Sequence, residues 1–438
     1  MTRTWSRTSR VIAGTATALA VLTACGGGGD DTASKSNGPV TITFWGWAKG
    51  SKDVVDAFNA SHTDIQVKFE EIPSGNAGGY AKISNAVKAG NAPDLVSIEY
   101  AALPEFVSSG ALQEIGDEFT EADRAKLLPQ SVELTTLGGK SWAVPFDAGP
   151  QAFFYRKDLF AKYQVKVPTT WDEFRKAAEQ VKKADAKARI ATFFPDDPAT
   201  FEAQVWQAGG QWFKAENDTW KVNTTDPATT KVTAYWQGLL DADLVHKDAS
   251  FSPEWVGSLK NGTTIGYLGA SWGAGVLKGN VPEMSGKWAV APIPTWDGKP
   301  ASGMLGGTSF AVSKDSKQKA AAVAFAEWMS TTEAGVKARI ASGTSSAFPA
   351  AASLRPVAKK AFDASFYGGQ DIYALFEAAG ASINPNWSWG PTSGTTNTAI
   401  KDAFGKLAPG GPGIADAVKA GHDATVAELT KRGLKVEG

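Results

Sequence analysis

WAVPFDAGPQAFFYRKDLF, residues 142 to 160, decides how this chain is organised. Two apolar runs flank Pro145, Gly149 and Pro150 and interrupt a regular strand–helix rhythm, a pattern that suits a segment leaving one folded lobe and entering another. Upstream, VTITFW (40 to 45) reads as a buried strand and SKDVVDAFNASH (51 to 62) as a helix with Val54, Val55 and Phe58 on one side. DIQVKFE then alternates, with Ile65, Val67 and Phe69 on one strand face. YAKISNAVKAG (80 to 90) has Ile83, Ala86 and Val87 at helical spacing and stops on Gly90, and DLVSI (94 to 98) is a third strand. Such alternation predicts parallel sheets, whose ligands sit outside the carboxyl ends of the strands. Downstream, Thr170-Trp171-Asp172-Glu173 predicts a capping box opening a helix with Phe174, Ala178 and Val181 inward. Strands follow at TTIGYL (263 to 268) and WAVAP (288 to 292), and a helix at AAAVAFAEWMS (320 to 330). No fixed-period repeat is visible.

The N-terminus carries Arg3, Arg7 and Arg10 and then VIAGTATALAVL, the charge-then-apolar layout of a secretory signal. Twelve apolar residues fall short of the roughly 20 that cross a bilayer. The run ends in Leu22-Thr23-Ala24-Cys25, which resembles the lipobox of bacterial lipoproteins, in which cleavage before the cysteine leaves it lipidated. Cys25 is the only cysteine, so the chain forms no internal disulfide, and a mature domain without other thiols suits an oxidising compartment. Residues 26 to 38, GGGGDDTASKSNG, read as a flexible tether with a root-mean-square span of about 20 Å. Loss of residues 1 to 24 removes three of the 44 basic residues, leaving 41 against 45 acids, a net charge of −4 with no basic footprint for nucleic acid. The remaining length, about 400 residues, exceeds the size at which one core stops growing, so two lobes are expected.

The order of these motifs resembles the family of extracellular solute-binding proteins that serve ABC-type sugar importers, over almost all of residues 40 to 435. The carriers are VTITFWGWA, AGNAPDLVSIEYAALPEFVSSGAL, VPFDAGPQAFFYRKDLFAKYQVKVPTTWDEF, AGGQWF, LKNGTTIGYLGASWG, APIPTWDGKPASGMLGGTSFAVSK and AFAEWMST. The resemblance implies an α/β, two-lobed periplasmic-binding-protein-like fold of type II, with three crossovers and a ligand cleft between the lobes. Each lobe would be discontinuous: residues 39–147 plus 306–345, and residues 148–305 plus 346–438. It also implies a monomeric, lipid-anchored protein on the outer face of the cytoplasmic membrane that delivers an oligosaccharide to membrane permease subunits.

A sugar offers apolar C–H faces and a ring of hydroxyls, so its site needs flat aromatic surfaces and a few fixed polar partners. Fifteen of the sixteen tryptophans remain once Trp5 leaves with the signal, and position must select among them. Trp45 and Trp47 lie at the carboxyl end of the first strand, Trp47 being favoured because Trp45 can still point into the sheet. Glu99 and Tyr100 follow the third strand. Trp272, in LGASWG, sits where sugar-binding relatives place a stacking aromatic, and Trp387 or Trp389, in SINPNWSWGPT, where the family places another. Asp147 is at the first crossover, either facing both lobes or stabilising a hinge turn. Gly306, Gly307 and Thr308 form a loop whose amides can approach a ligand closely. Asn76 and Tyr80, flanking a glycine-rich loop, complete the expected ligand set.

Enzyme chemistry fits less well. Gly269-Ala270-Ser271-Trp272-Gly273 matches the G-x-S-x-G nucleophile elbow, but the histidine such a triad needs later in the chain is His422, in a helical stretch that reads as surface. No recognisable glycosidase pair stands out among the acids. His62, His246 and His422 are far apart in sequence and form no zinc motif, and no phosphate-cradling loop is present. A binding protein without cofactor or metal is therefore expected. Asp147 and Glu99, the acids among the candidates, accompany no arginine, which favours a neutral ligand over a polyamine, a phosphorylated polyol or a metal complex. A secreted hydrolase is the alternative from another class.

Overall fold

The computed structural model describes residues 38–438 except 342 and 409. The expected signal, the lipidated Cys25 and the tether up to residue 37 lie outside the described residues. Two sheets position the site. Their strands are β1 (Val40–Gly46), β2 (Ile65–Glu71), β3 (Leu95–Glu99), β4 (Val144–Pro145), β5 (Gln151–Arg156), β6 (Gly266–Ala270), β7 (Trp288–Pro292) and β8 (Thr308–Val312).

The first sheet has the order β2-β1-β3-β8-β4. β1 runs parallel to β2 and β3, as the strand–helix alternation predicts, whereas β8 is antiparallel to β3 and β4. On one face Ile42 and Phe44 are fully buried, and the Phe44 ring meets those of Phe310 and Phe325 at 5.6 and 5.7 Å. Helix Ser51–Ser61 buries Val54, Val55 and Phe58 as expected. Helix Gly79–Ala89 covers the other face with Ile83, Ala86 and Val87 and ends on Gly90, whose φ of 70° places it in the left-handed region that ends helices.

The second sheet, β6-β5-β7, is antiparallel throughout, against the expectation of parallel sheets. β6, helix Gly273–Asn280 and β7 do alternate, and β6 and β7 run the same way. β5 lies between them in the opposite direction, and alternation along the chain cannot show a strand inserted from more than 100 residues upstream. The strand expected at 263 to 268 begins three residues later, at Gly266. Helix Trp171–Ala184 buries Phe174, Ala178 and Val181 as expected, but its cap is one residue out of the predicted register. Thr170 accepts from the Glu173 amide at 3.2 Å, while the Glu173 carboxylate turns to the amide and hydroxyl of Thr169 at 2.8 and 2.7 Å.

Residues 146–150 carry the chain from the first sheet to the second, 293–307 carry it back, and a third passage, around residues 345–350, returns it. These passages are laced together. The Leu305 amide donates to the Gly149 carbonyl at 2.8 Å, the Ala350 amide to Phe146 at 2.9 Å, and Asp147–Ala148 pairs antiparallel with Phe348–Pro349. Gly149 is required by that contact, because a Cβ there would lie 2.0 Å from the Leu305 oxygen. Gly149→Ala should lower unfolding free energy by about 1–3 kcal/mol, as overpacking against backbone does; a denaturation midpoint equal to the parent's would contradict this.

Candidate functional site

The carboxyl ends of β1, β3 and β6 converge on the passage that contains Gly306. From the first sheet, Trp47 packs edge-on against Tyr80 at 5.7 Å, and the Tyr80 hydroxyl donates to Glu99 Oε2 at 2.7 Å. From the second, Trp272 directly follows β6 and Ser271, and its Nε1 donates to the Leu305 carbonyl at 2.8 Å. Gly306, at φ 72°, lies between them: a Cβ built there would be 3.2 Å from Trp272 Nε1 and 3.7 Å from Glu99 Oε1. The structure thus brings together Trp47, Tyr80, Glu99, Gly306 and Trp272, which are spread over more than 200 residues of sequence.

Other expected site residues are placed elsewhere. Trp45 lies on the opposite strand face from Ile42 and Phe44, against the helix-covered side, with Lys82 Nζ 4.5 Å above its ring. Tyr100 is buried and donates its hydroxyl to the Asp147 carbonyl at 2.8 Å, so it braces the first crossing instead of facing a cleft. Asp147 is buried too; its Oδ1 accepts from the Thr308 amide at 2.7 Å, which makes it a hinge stabiliser and occupies the Thr308 amide. Gly307, at φ 105°, packs on the Tyr100 ring, and its carbonyl accepts the Tyr100 amide, so of this loop only Gly306 reaches the convergence. Asn76 is exposed on a short 3-10 turn, and none of the contacts that link Trp47 to Trp272 involves it. Trp387 is core: it stacks on Trp206 at 5.4 Å and 7°, with Trp212 at 5.7 Å. Its loop looked too polar for core because the apolar surface it covers comes from residues 206 and 212. Trp389 is half-buried and edge-on to Trp387 at 5.2 Å.

Sequence reasoning missed three residues. Phe251 is 39% exposed and holds a φ of 56°, and its ring lies 6.0 Å from that of Trp272. A left-handed bulky residue costs about 1–3 kcal/mol, and such outliers cluster at functional sites. Asp197 and Glu202 belong to the N-terminal cap and first turns of helix Pro198–Gln207. The signal for Glu202 was available in part: it is an acid beside Phe201, Ala203, Val205 and Trp206, apolar residues of the same helix.

These acids form an electrostatic group. Burial raises Glu99, with the Tyr80 hydrogen bond opposing and the Asp197 charge adding to the rise. Burial likewise raises Asp197, and it pushes Glu202 to about 8, again with Asp197 contributing. Asp147 is pushed to about 7 by burial, against the Thr308 amide and the nearby Arg339 charge. Glu202 Oε2 is buried without a hydrogen-bond partner, and no ion pair reaches Glu99, Asp197 or Glu202 among the described residues.

A cavity of about 10 Å³, the size of one water, adjoins Asp197, Thr200, Gln204 and Trp236. A larger one of about 210 Å³, between Glu114, Arg124, Thr136, Lys140 and Ser141, shares no residue with the convergence. Ser271, the would-be nucleophile, is fully buried and donates to the Ala148 carbonyl at 3.1 Å, and His422 contacts Thr224 at 3.2 Å, so the elbow motif has no catalytic geometry. No metal-binding cluster and no helix long and apolar enough to cross a membrane exists among the described residues.

Two sheets joined by three laced passages, with aromatic and acidic side chains meeting where the passages run, define a two-lobed α/β binding protein of type II. The chain belongs to the bacterial extracellular solute-binding protein family, whose model matches residues 46–336. The lactose-binding protein of Rhizobium radiobacter is 25% identical over 404 residues, 89% of this chain and 93% of that one. Among solved structures, the galacto-N-biose/lacto-N-biose I-binding protein of Bifidobacterium longum, in complex with lacto-N-biose, is 29% identical with a TM-score of 0.82, covering 92% of this chain and all of its own. A binding protein from B. animalis subsp. lactis, in complex with β-1,6-galactobiose, is 28% identical with a TM-score of 0.82, over 91% of this chain and all of its own.

The raised Glu202 sets a pH dependence. The folded protein holds its proton up to about pH 8, whereas the unfolded chain releases it near the ordinary 4.5, so stability falls as pH rises through that window. Thermal midpoints between pH 5 and pH 8 should fall less in Glu202→Gln than in the parent; parallel curves would show that Glu202 titrates normally in the fold.

Proposed function

We propose that this protein captures a short saccharide between two lobes and presents it to the permease subunits of an ABC importer. The observation that carries the proposal is the meeting of Trp272 from the second sheet with Glu99 and Tyr80 from the first at Gly306. Aromatic faces for C–H surfaces and carboxylates for hydroxyls are what a sugar requires. Relatives named for lactose, lacto-N-biose and β-1,6-galactobiose support a saccharide of that size class. The lobes would be residues 39–147 plus 306–345 and residues 148–305 plus 346–438, closing on ligand about the three passages, and ligand would shift the population by its preference for the closed form. The ligand-contacting set we favour is Trp47, Tyr80, Glu99, Gly306 and Trp272, with Phe251 flanking it.

Signal cleavage after Ala24 and lipidation of Cys25 would hold a monomer at the outer face of the cytoplasmic membrane, since several acyl chains anchor stably where one does not. Cys25→Ser should move the protein from the membrane fraction to the medium; retention in membranes would remove the anchor.

A thermal-shift panel of mono- and oligosaccharides identifies the ligand, because binding raises apparent stability by mass action. Against the best saccharide, Trp272→Ala should weaken affinity at least tenfold, about 1.4 kcal/mol, with little change in the ligand-free melting temperature. Calorimetry showing equal affinity would take Trp272 out of the site, and release of hydrolysed product on incubation would replace transport with catalysis.

A further inference from the structure

We propose that Glu105 and Arg432 form a closure latch that makes Glu105 a positioning residue for ligand capture. The inference rests on the two-lobed reading above. Glu105 sits on helix Leu103–Ser108, which begins four residues after Glu99, and its partners lie near the other end of the chain. Glu105 Oε2 accepts from the Gly394 amide at 2.8 Å, and Oε1 lies 3.7 Å from Arg432 Nη2. Arg432 is itself held, donating to the Pro391 carbonyl at 3.0 Å and to Glu428 Oε1 at 2.9 Å. Gly394 opens helix Ser393–Phe404, so the carboxylate also meets the positive end of a helix dipole.

Gly394 leaves room for this contact. A Cβ there would lie 2.6 Å from Glu105 Oε2, so a larger residue would push the carboxylate away from the Gly394 amide. Its φ is not left-handed, so backbone conformation does not explain the glycine.

None of these residues belongs to the three passages. Bonds within the passages persist whether the lobes are open or closed, whereas the Glu105 bonds join lobe one to lobe two and break on opening. They therefore favour the closed form with or without ligand. Glu105 and Arg432 side chains are 30% and 29% exposed, so salt screens the pair in part. Apparent affinity scales with the fraction of protein in the competent form, so the latch raises affinity without touching ligand.

The test uses Glu105→Ala, which removes the acceptor of both contacts, and Gly394→Ala, whose Cβ pushes that carboxylate away. In the ligand-free proteins, small-angle scattering should give a larger radius of gyration for both variants than for the parent, with melting temperatures close to the parent's. With lacto-N-biose as probe, stopped-flow tryptophan fluorescence should show dissociation at least about threefold faster and association within about twofold of the parent. The double variant should match Glu105→Ala, because once the carboxylate is gone the added Cβ displaces nothing. An unchanged radius of gyration in both variants overturns the latch, as does a larger radius with unchanged dissociation. A larger radius in a protein that does not bind lacto-N-biose upholds the latch and counts against that saccharide alone.

Discussion

The lacing of the three passages between the sheets is the constraint on which the rest of the structure depends. Gly149 approaches Leu305 closely enough for a backbone hydrogen bond, Phe146 is tied to Ala350, and the Asp147 carboxylate holds the Thr308 amide. Tyr100 fastens the loop after β3 to the same point through the Asp147 carbonyl. Arg339 is buried beside them, 4.3 Å over the Phe146 ring; burial draws its guanidinium down to about 10 while the Asp147 charge opposes that fall. A buried guanidinium and a buried carboxylate near each other are costly to separate, so this joint resists alternative arrangements. Its geometry stacks the carboxyl ends of β3 and β6 across Gly306, and the site follows from that.

The site combines two costs that folding alone does not recover. Phe251 holds a left-handed backbone while leaving its ring partly in solvent, and Glu99, Asp197 and Glu202 are gathered with little countercharge. Carboxylates in that setting are stabilised by protons or by donors brought from outside, and saccharide hydroxyls are such donors.

Much of the fold was legible in the chain. Val54, Val55 and Phe58 on one helix and Phe174, Ala178 and Val181 on another are inward where their spacing puts them, since local periodicity reports which face is buried. That Trp272 and Glu99 meet at Gly306 accords with their positions at the carboxyl ends of strands. Tyr100 and Trp387 were misplaced for a common reason: adjacent to a candidate in sequence, each points the other way, towards partners far along the chain. Glu202 stood among apolar helix neighbours, but only the packing around that helix shows its carboxylate to be buried, and Asp197, at the helix cap, carried no such signal.

By itself the sequence determined strands β1 to β3, the helices that bury Val54 and Phe58 and Phe174 and Val181, and the motif order that marks the family, because hydrophobic period and turn chemistry act over a few residues. Tertiary structure alone decided that β5 enters the second sheet antiparallel, that the Asp147 carboxylate holds the Thr308 amide, and that Trp47, Tyr80, Glu99, Gly306 and Trp272 share one place. Those outcomes depend on contacts between residues far apart in the chain, and no local pattern encodes which distant surfaces will meet.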